Sequence, residues 1–179
     1  MQIDGKTVLL TGGTAGIGRA LAQQLREAGA KVVVTGRNAQ RLEEMRGEEF
    51  EALHADLSTA AGVDELVAQW GERSLDILIN NAGMGVTQDY RDGGPDPADS
   101  DACFYANLSA PVRLTTKLLP LLKAQPRAAI LNVSSGLAIA PSAQGAVYCA
   151  SKAGLRSFSY SLRAQLKGSG VHVIEALPP

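Results

Sequence analysis

A tyrosine and a lysine lie four residues apart in the last quarter of the sequence, at Tyr148 and Lys152. Residues at this spacing share one face of a helix. A phenol has a pKa of about 10, and a neighbouring ammonium lowers that pKa because it favours the phenolate. The pair therefore predicts a group that transfers a proton. The same spacing also arises by chance, so the pair becomes strong evidence only when other motifs agree with it.

A glycine-rich segment near the start reads Thr11-Gly12-Gly13-Thr14-Ala15-Gly16-Ile17-Gly18 and lies between a predicted strand and a predicted helix. Glycine lets the backbone turn tightly, and the N–H groups at a helix N-terminus favour negative charge. The segment predicts a turn that binds the phosphates of a nucleotide. The alternative is a tight connection with no ligand.

The spacing Thr-Gly-x-x-x-Gly-x-Gly resembles that of the short-chain dehydrogenase/reductase family, and other motifs agree with it along the whole chain. Three of them are Asp56-Leu57 after the third strand, Asn80-Asn81-Ala82-Gly83 closing the fourth, and Pro178-Pro179 after the sixth. Within the family, residues 134–152 most resemble a group of bacterial oxidoreductases. The agreement of several spacings at once favours this interpretation over chance.

The resemblance implies a catalytic set that consists of Asn107, Ser135, Tyr148 and Lys152. Tyr148 would be the acid or base, and Lys152 would lower its pKa and hold the nicotinamide ribose. Ser135 would donate to the substrate oxygen, on which negative charge develops when a hydride reduces a carbonyl. Asn107 would hold a water that relays protons from Lys152 to solvent. Taken singly, Ser135 is as well explained as a turn residue, and Asn107 as a buried amide bonded to backbone.

The resemblance also implies contacts to a nicotinamide dinucleotide that supplies or accepts the hydride, with a carbonyl or alcohol as the small-molecule substrate. These contacts are spread over the strand ends and the catalytic pair: Thr11, Gly12, Thr14, Gly16, Ile17, Gly18, Arg37, Asp56, Leu57, Asn81, Ala82, Gly83, Tyr148, Lys152 and Pro178.

The residues after the second strand bear on which dinucleotide binds. Gly36 stands where NAD-preferring relatives carry an acid, and Arg37 follows it. A guanidinium suits a 2′-phosphate, so we predict NADP(H), with NAD(H) as the alternative. Ala15 departs from this pattern, because many NADP-preferring relatives carry a basic residue there. In the alternative, Arg37 is a solvated cation at a helix start.

Short β-branched runs alternate with longer segments of helical period, which is typical of a parallel sheet covered by helices. Strands are predicted over 7–11, 31–35, 51–55, 75–80, 129–134 and 171–177, and helices over 17–28, 40–45, 63–70, 100–123 and 142–167. Right-handed crossovers then give an α/β fold with a doubly wound, Rossmann-like sheet of strand order 3-2-1-4-5-6. Residues 84–100 have no hydrophobic period and are predicted to form a long loop. That loop either touches substrate or is a plain surface excursion.

The composition is that of one globular domain over residues 1–179, with 45% hydrophobic and 20% charged residues. A formal net charge of −1 and the lack of a basic cluster argue against a nucleic acid partner. No run of residues predicts a secretory signal or a membrane span, so a cytoplasmic protein is expected. Cys103 and Cys149 have no ligand at metal spacing and are predicted to be buried thiols; no metal site is predicted.

Members of the family usually carry a seventh strand and a substrate-covering helical pair after the sixth strand, so we expect this nucleotide-binding domain to be C-terminally incomplete. The resemblance further implies a homo-oligomer, a dimer or tetramer. Six apolar residues on two helices would serve either such a contact or the core of a monomer: Leu108, Val112, Leu114, Leu118, Phe158 and Leu162.

Two other functions compete with hydride transfer. A catalytically idle NADP-binding sensor or scaffold would use the same fold, but it has no need of Tyr148 and Lys152 together. A nucleotide-sugar epimerase or dehydratase uses a related site, normally with a shorter spacing in the glycine-rich turn.

Overall fold

Six parallel strands form one sheet in the computed structural model, which describes residues 2–86 and 89–179. The strands are β1 (Thr7–Leu10), β2 (Lys31–Gly36), β3 (Glu51–His54), β4 (Ile77–Asn80), β5 (Ala128–Val133) and β6 (Val171–Ala176). Their order is β3-β2-β1-β4-β5-β6, as predicted. The order reverses between β1 and β4, which is where open α/β sheets bind ligands.

Helices connect the strands and cover both faces of the sheet. They are α1 (Gly16–Glu27), α2 (Ala39–Gly47), α3 (Ala60–Trp70), α4 (Pro97–Phe104), α5 (Ala110–Lys123) and α6 (Ala146–Gln165). One core lies under α1 and α2, and the other lies under α3, α5 and α6. Successive strand residues point to opposite faces, so Leu9 belongs to one core while Val8 and Leu10 belong to the other.

The helix predicted over 100–123 is wrong in its bounds and its continuity. It begins at Pro97, and a five-residue π turn (Tyr105–Ser109) separates α4 from α5. Pro111 supplies the physical reason, because proline has no N–H to donate and its ring clashes with the carbonyl four residues earlier. The loop predicted over 84–100 is correspondingly shorter and contains a 3₁₀ turn (Tyr90–Asp92). Positions 87 and 88 of that loop lie outside the described residues.

Three buried polar side chains link the two central strands to α6. The Asn80 amide donates to Asn132 Oδ1 at 2.8 Å, and the Asn132 amide donates to Ser159 Oγ at 2.8 Å. Ser159 in turn donates to the Leu155 carbonyl at 2.8 Å. The exposed fraction is 0% for Asn132 and Ser159 and 2% for Asn80, so water does not compete for these bonds.

Asn132→Ala is expected to lower the free energy of unfolding by about 2–3 kcal/mol, because it leaves the Asn80 amide buried without an acceptor. Urea unfolding followed by the fluorescence of buried Trp70 measures this. Thr116→Ala removes a hydroxyl that donates to Val112 on the exposed side of α5 and should cost less than about 0.5 kcal/mol. Equal losses in the two variants would contradict the prediction.

Candidate functional site

The glycine-rich turn is held against the end of β4 by a threonine and an asparagine. Thr11 is 1% exposed, and its hydroxyl accepts from the backbone N–H groups of Asn81 and Ala82, each at 3.0 Å. The Asn81 amide donates to the carbonyls of Thr11 at 2.9 Å and Gly12 at 3.1 Å. These bonds fix the turn that precedes α1.

Two glycines allow a close backbone approach in this turn. A Cβ on Gly12 would lie 2.8 Å from the Ala82 Cα, and one on Gly18 would lie 2.2 Å from the Gly12 carbonyl oxygen. Gly12 also has a φ of 66°, in the left-handed region. No described side chain caps α1, whose first turn carries no acid. The N–H groups of that turn are thus available to an anion.

A cavity of about 560 Å³ extends from this turn along the ends of the strands. Its wall includes Gly12, Thr14, Ile17, Gly18, Arg37, Asp56, Leu57, Asn81, Ala82 and Gly83, all of them predicted contacts. The wall also contains Asn38 and Arg41, which the sequence interpretation missed. Asn38 caps α2 by accepting from the Arg41 N–H at 2.9 Å, so Arg41 lies in the first turn of α2 and Arg37 directly precedes the cap.

The Asp56 carboxylate lies in the same cavity wall as the two arginines. The Ser58 hydroxyl, 2.7 Å from the Asp56 carboxylate, holds the pKa of Asp56 below its ordinary value, and the charge of Arg37 acts in the same direction. Asp56 is therefore ionised at neutral pH. A polar, partly buried carboxylate of this kind can accept hydrogen bonds from an adjacent ligand.

Tyr148 and Lys152 line a smaller cavity of about 220 Å³. The Lys152 ammonium lies 5.8 Å from the centroid of the Tyr148 ring and donates to the Val133 carbonyl at 2.8 Å. The Ser134 hydroxyl donates to the Lys152 carbonyl at 3.2 Å. The end of β5 thus anchors the lysine at both its backbone and its charged end.

Lys152 is 4% exposed, and burial lowers its pKa from 10.5 to about 8. Burial disfavours the charged form of an amine. The amine is still mostly charged at pH 7, because its pKa lies above that pH. An ammonium beside a phenol is the arrangement that favours proton release from the phenol.

Asn107 lies in the π turn and is fully buried. Its Oδ1 accepts from the Met84 N–H at 2.9 Å, and its amide donates to the Met84 carbonyl at 2.8 Å and to Ser151 Oγ at 2.9 Å. The Cys103 thiol also donates to the Met84 carbonyl, at 3.4 Å. Burial raises the pKa of this thiol, so it remains protonated and able to donate. The chain after β4 is therefore tied to the π turn through Met84.

Ser135 lies two residues after β5 and is 4% exposed. Its hydroxyl oxygen accepts from the Leu137 N–H at 3.1 Å, which caps a 3₁₀ turn (Gly136–Ala138). A hydroxyl has one proton to donate and two lone pairs to accept with. Since the Leu137 bond uses a lone pair, the proton of Ser135 is left for another acceptor.

The structure places the predicted residues at one edge of the sheet but gives them different surroundings. Pro178 lines the small cavity with Tyr148 and Lys152. Thr11 lies behind the wall of the larger cavity and supports it through hydrogen bonds. Gly16 is exposed and has a φ of 52° in the turn. Both predicted thiols, Cys103 and Cys149, are buried.

Among residues 2–86 and 89–179, no three His, Cys, Asp or Glu side chains lie close enough together to share a metal ion. Within the same ranges, no helix combines the length and the apolar character that a membrane crossing needs.

Comparison with known proteins identifies the family. Residues 6–179 match the family model for short chain dehydrogenase. The chain is 40% identical to an uncharacterized oxidoreductase, DltE, of Bacillus subtilis, over 100% of this chain and 73% of the relative. It is 34% identical to the NADP-dependent 3-hydroxy acid dehydrogenase YdfG of Salmonella typhi, over 96% of this chain and 71% of the relative.

A solved structure of a dehydrogenase has the same fold. The bulky-bulky ketone specific alcohol dehydrogenase from Comamonas testosteroni superimposes with a TM-score of 0.88 at 26% identity, over 97% of this chain and 71% of that chain. The chain belongs to the short-chain dehydrogenase/reductase family and is an oxidoreductase. The resemblance stated from the sequence is confirmed, and so is the Rossmann-like fold.

Proposed function

We propose that this protein transfers a hydride between NADP(H) and a carbonyl or alcohol substrate. The observation that carries the proposal is that the two cavities share four lining residues: Ile17, Asn81, Gly83 and Met84. A molecule that extends from the Arg37 end of the larger cavity therefore reaches Tyr148 in the smaller one. The dimensions suit a dinucleotide with its reactive end beside the tyrosine.

The residues present fit such a dinucleotide. Gly12 and Gly18 allow the close backbone packing that forms the turn before α1, and the uncapped first turn of α1 offers N–H groups to a pyrophosphate. Thr14, Gly16 and Ile17 belong to the same turn. Asp56 and Leu57 would contact the adenine end, and Ala82, Gly83 and Pro178 the nicotinamide end. When bound, the nicotinamide ring supplies or accepts the hydride.

Tyr148 acts as the acid in carbonyl reduction and as the base in alcohol oxidation. The charged Lys152 amine favours the phenolate and also holds the ribose. The Ser135 proton, which the Leu137 bond does not use, is donated to the substrate oxygen, where negative charge develops. Together these groups supply a proton and a hydrogen bond to one oxygen atom.

Proton relay runs through Asn107. Its side chain is engaged with Met84 and Ser151, so the relay water is assigned to its backbone carbonyl. In an α-helix this carbonyl would accept from residue 111, but Pro111 has no N–H. The carbonyl can accordingly accept from a water that connects Lys152 to solvent.

Two arginines support NADP(H) over NAD(H). Arg37 and Arg41 are exposed side chains in the wall of the larger cavity; Arg37 precedes the N-cap of α2 and Arg41 lies in its first turn. A 2′-phosphate would accept charge-assisted bonds from both guanidinium groups. Gly36 leaves no acid at the place where ribose hydroxyls would be recognised.

A fluorescence titration with NADPH and with NADH tests the cofactor. NADPH is expected to bind at least about tenfold more tightly than NADH. Arg37→Ala and Arg41→Ala should each weaken NADPH binding about tenfold, since an exposed charge-assisted bond contributes about 1.5 kcal/mol, the lower end of its range. NADH binding should change less than twofold. Arg46→Ala, a control on the same helix whose guanidinium donates to the Ala52 carbonyl, should leave the NADPH affinity unchanged. Tighter NADH binding would overturn the preference.

We also propose the oligomeric state and the cellular location that the family resemblance implies. Leu114, Leu118 and Leu162 belong to the core of the monomer, whereas Leu108, Val112 and Phe158 are only partly buried. We assign the latter three to a contact between copies in a homodimer or homotetramer. The protein is proposed to work in the cytoplasm, without membrane or nucleic acid partners.

A further inference from the structure

A serine next to the catalytic lysine connects three elements of the site. Ser151 is 0% exposed; its hydroxyl donates to the Tyr148 carbonyl at 2.7 Å and accepts from the Asn107 amide at 2.9 Å. Asn107 in turn bonds both the N–H and the carbonyl of Met84. A continuous chain of hydrogen bonds thus runs from α6, through the π turn, to the segment after β4.

The direction of each bond determines how the Asn107 amide is oriented. The single proton of Ser151 is used by the Tyr148 carbonyl, so Ser151 can only accept from Asn107. Asn107 must therefore present Nδ2 to Ser151, and this leaves Oδ1 facing the Met84 N–H. If the amide were reversed, Oδ1 would face a lone pair of Ser151, and Nδ2 would face the Met84 N–H. Neither contact is a hydrogen bond, so the reversed orientation loses both bonds.

Asn107 Oδ1 and Lys152 Nζ both lie near Gly83. A Cβ built on Gly83 would lie 2.8 Å from Asn107 Oδ1 and 3.4 Å from Lys152 Nζ, so these two atoms approach the same point. The orientation of the amide decides whether an oxygen or an NH₂ group faces that point. An oxygen there is compatible with a cation, and an NH₂ group is not.

We infer that Ser151 is a positioning residue, which acts through Asn107 to set the place of Met84 beside Tyr148. This inference rests on the proposed function, because Met84 lines both cavities that the proposal assigns to cofactor and substrate. Ser151 itself lines neither cavity. Its effect on turnover passes through the Asn107 amide and the Met84 backbone.

Ser159 provides a matched control on the same helix. It is also 0% exposed, donates to a carbonyl of α6 and accepts from a buried asparagine amide, that of Asn132. Ser159→Ala therefore removes the same kind of bond two turns away from Ser151. Any loss that comes only from weakening α6 should appear in both variants.

The first measurement is amide hydrogen exchange of Met84 by NMR in the full chain. Ser151→Ala should increase the exchange rate of the Met84 amide about tenfold, because Asn107 then holds that N–H less firmly. Ser159→Ala should leave the rate within about twofold. Unchanged Met84 exchange in Ser151→Ala overturns the inference, and this readout needs neither cofactor nor substrate.

The second measurement is NADPH-dependent ketone reduction. Ser151→Ala should lower kcat about ten- to hundredfold with the NADPH dissociation constant within about threefold, while Ser159→Ala stays near wild type. In an Asn107→Ala background, Ser151→Ala should lower kcat by less than about twofold, because the Asn107 amide through which Ser151 acts is already absent. Equal losses in both backgrounds overturn the inference. A wild type with no turnover on any ketone overturns the proposed function instead, and the exchange result still decides the link to Met84.

Discussion

Tyr148→Phe is expected to lower carbonyl reduction by NADPH by about 10²–10⁴-fold, the range that general acid catalysis contributes. The substitution removes the proton donor and keeps the ring, which is half-buried and packs beside Lys152. NADPH affinity should stay within about threefold, because most of the proposed contacts come from the glycine-rich turn and from Arg37 and Arg41. Steady-state assays with a ketone panel, together with a fluorescence titration, measure both quantities.

Tyr160→Phe is the matched control for this prediction. Tyr160 is 52% exposed on the same helix and contacts Arg156 and Arg163. Its loss of a hydroxyl should leave turnover unchanged. An idle sensor would bind NADPH and show no turnover in the wild type, so that outcome would favour the competing function. Full activity in Tyr148→Phe would remove tyrosine from the mechanism.

The second large effect concerns Lys152→Met, which should abolish turnover and at the same time stabilise the fold at pH 7. Wild-type Lys152 is buried, and its pKa in the folded protein falls from 10.5 to about 8. Between these two values the unfolded chain binds a proton that the folded chain does not. The contribution of this lysine to the free energy of unfolding therefore rises as the pH rises from about 8 to 10.5.

Below pH 8 the charged amine is buried at a cost of about 3 kcal/mol relative to its neutral form. Methionine removes that cost but also loses the bond to the Val133 carbonyl. We expect Lys152→Met to be about 1–3 kcal/mol more stable than wild type at pH 7, and the difference to fall by about 3 kcal/mol by pH 10.5. Urea unfolding at both pH values gives the two differences.

Lys123→Met serves as the control for the pH effect, because Lys123 is exposed at the end of α5. Its stability difference from wild type should be independent of pH over the same range. A stability difference for Lys152→Met that does not change with pH would show that burial does not lower the pKa of this lysine. The expected opposition between activity and stability is common where function requires a buried charge.

Much of the fold could be predicted from the sequence, because parallel strands buried on both faces give continuous apolar runs such as Val8-Leu9-Leu10. The strand bounds differ from the prediction by one or two residues. The π turn was missed, although Pro111 inside a predicted helix is a local signal for an interruption. Proline disrupts the hydrogen bond to the carbonyl four residues earlier, and the spacing of apolar residues does not reveal this disruption.

The candidate site was predictable as a set of residues but not as a set of contacts. Spacing brought Tyr148 and Lys152 together, since a helix places residues four apart on one face. It gave no sign of Arg41 in the wall of the larger cavity, because the position of Arg41 depends on the cap at Asn38. It also gave no sign that Ser151 bonds Asn107, because that bond joins residues 44 positions apart.

The π turn also constrains how the length of this chain can change. Each residue added to a helix rotates everything after it by about 100°. One insertion or deletion between Pro97 and Asn107 would turn the Asn107 amide away from Met84. The described residues of the connection before Pro97 form no continuous helix, so a change of length there does not by itself rotate α4. We therefore expect a change in the number of residues from Pro97 to Pro111 to disturb the Asn107 amide more than a change in the length of the loop before Pro97.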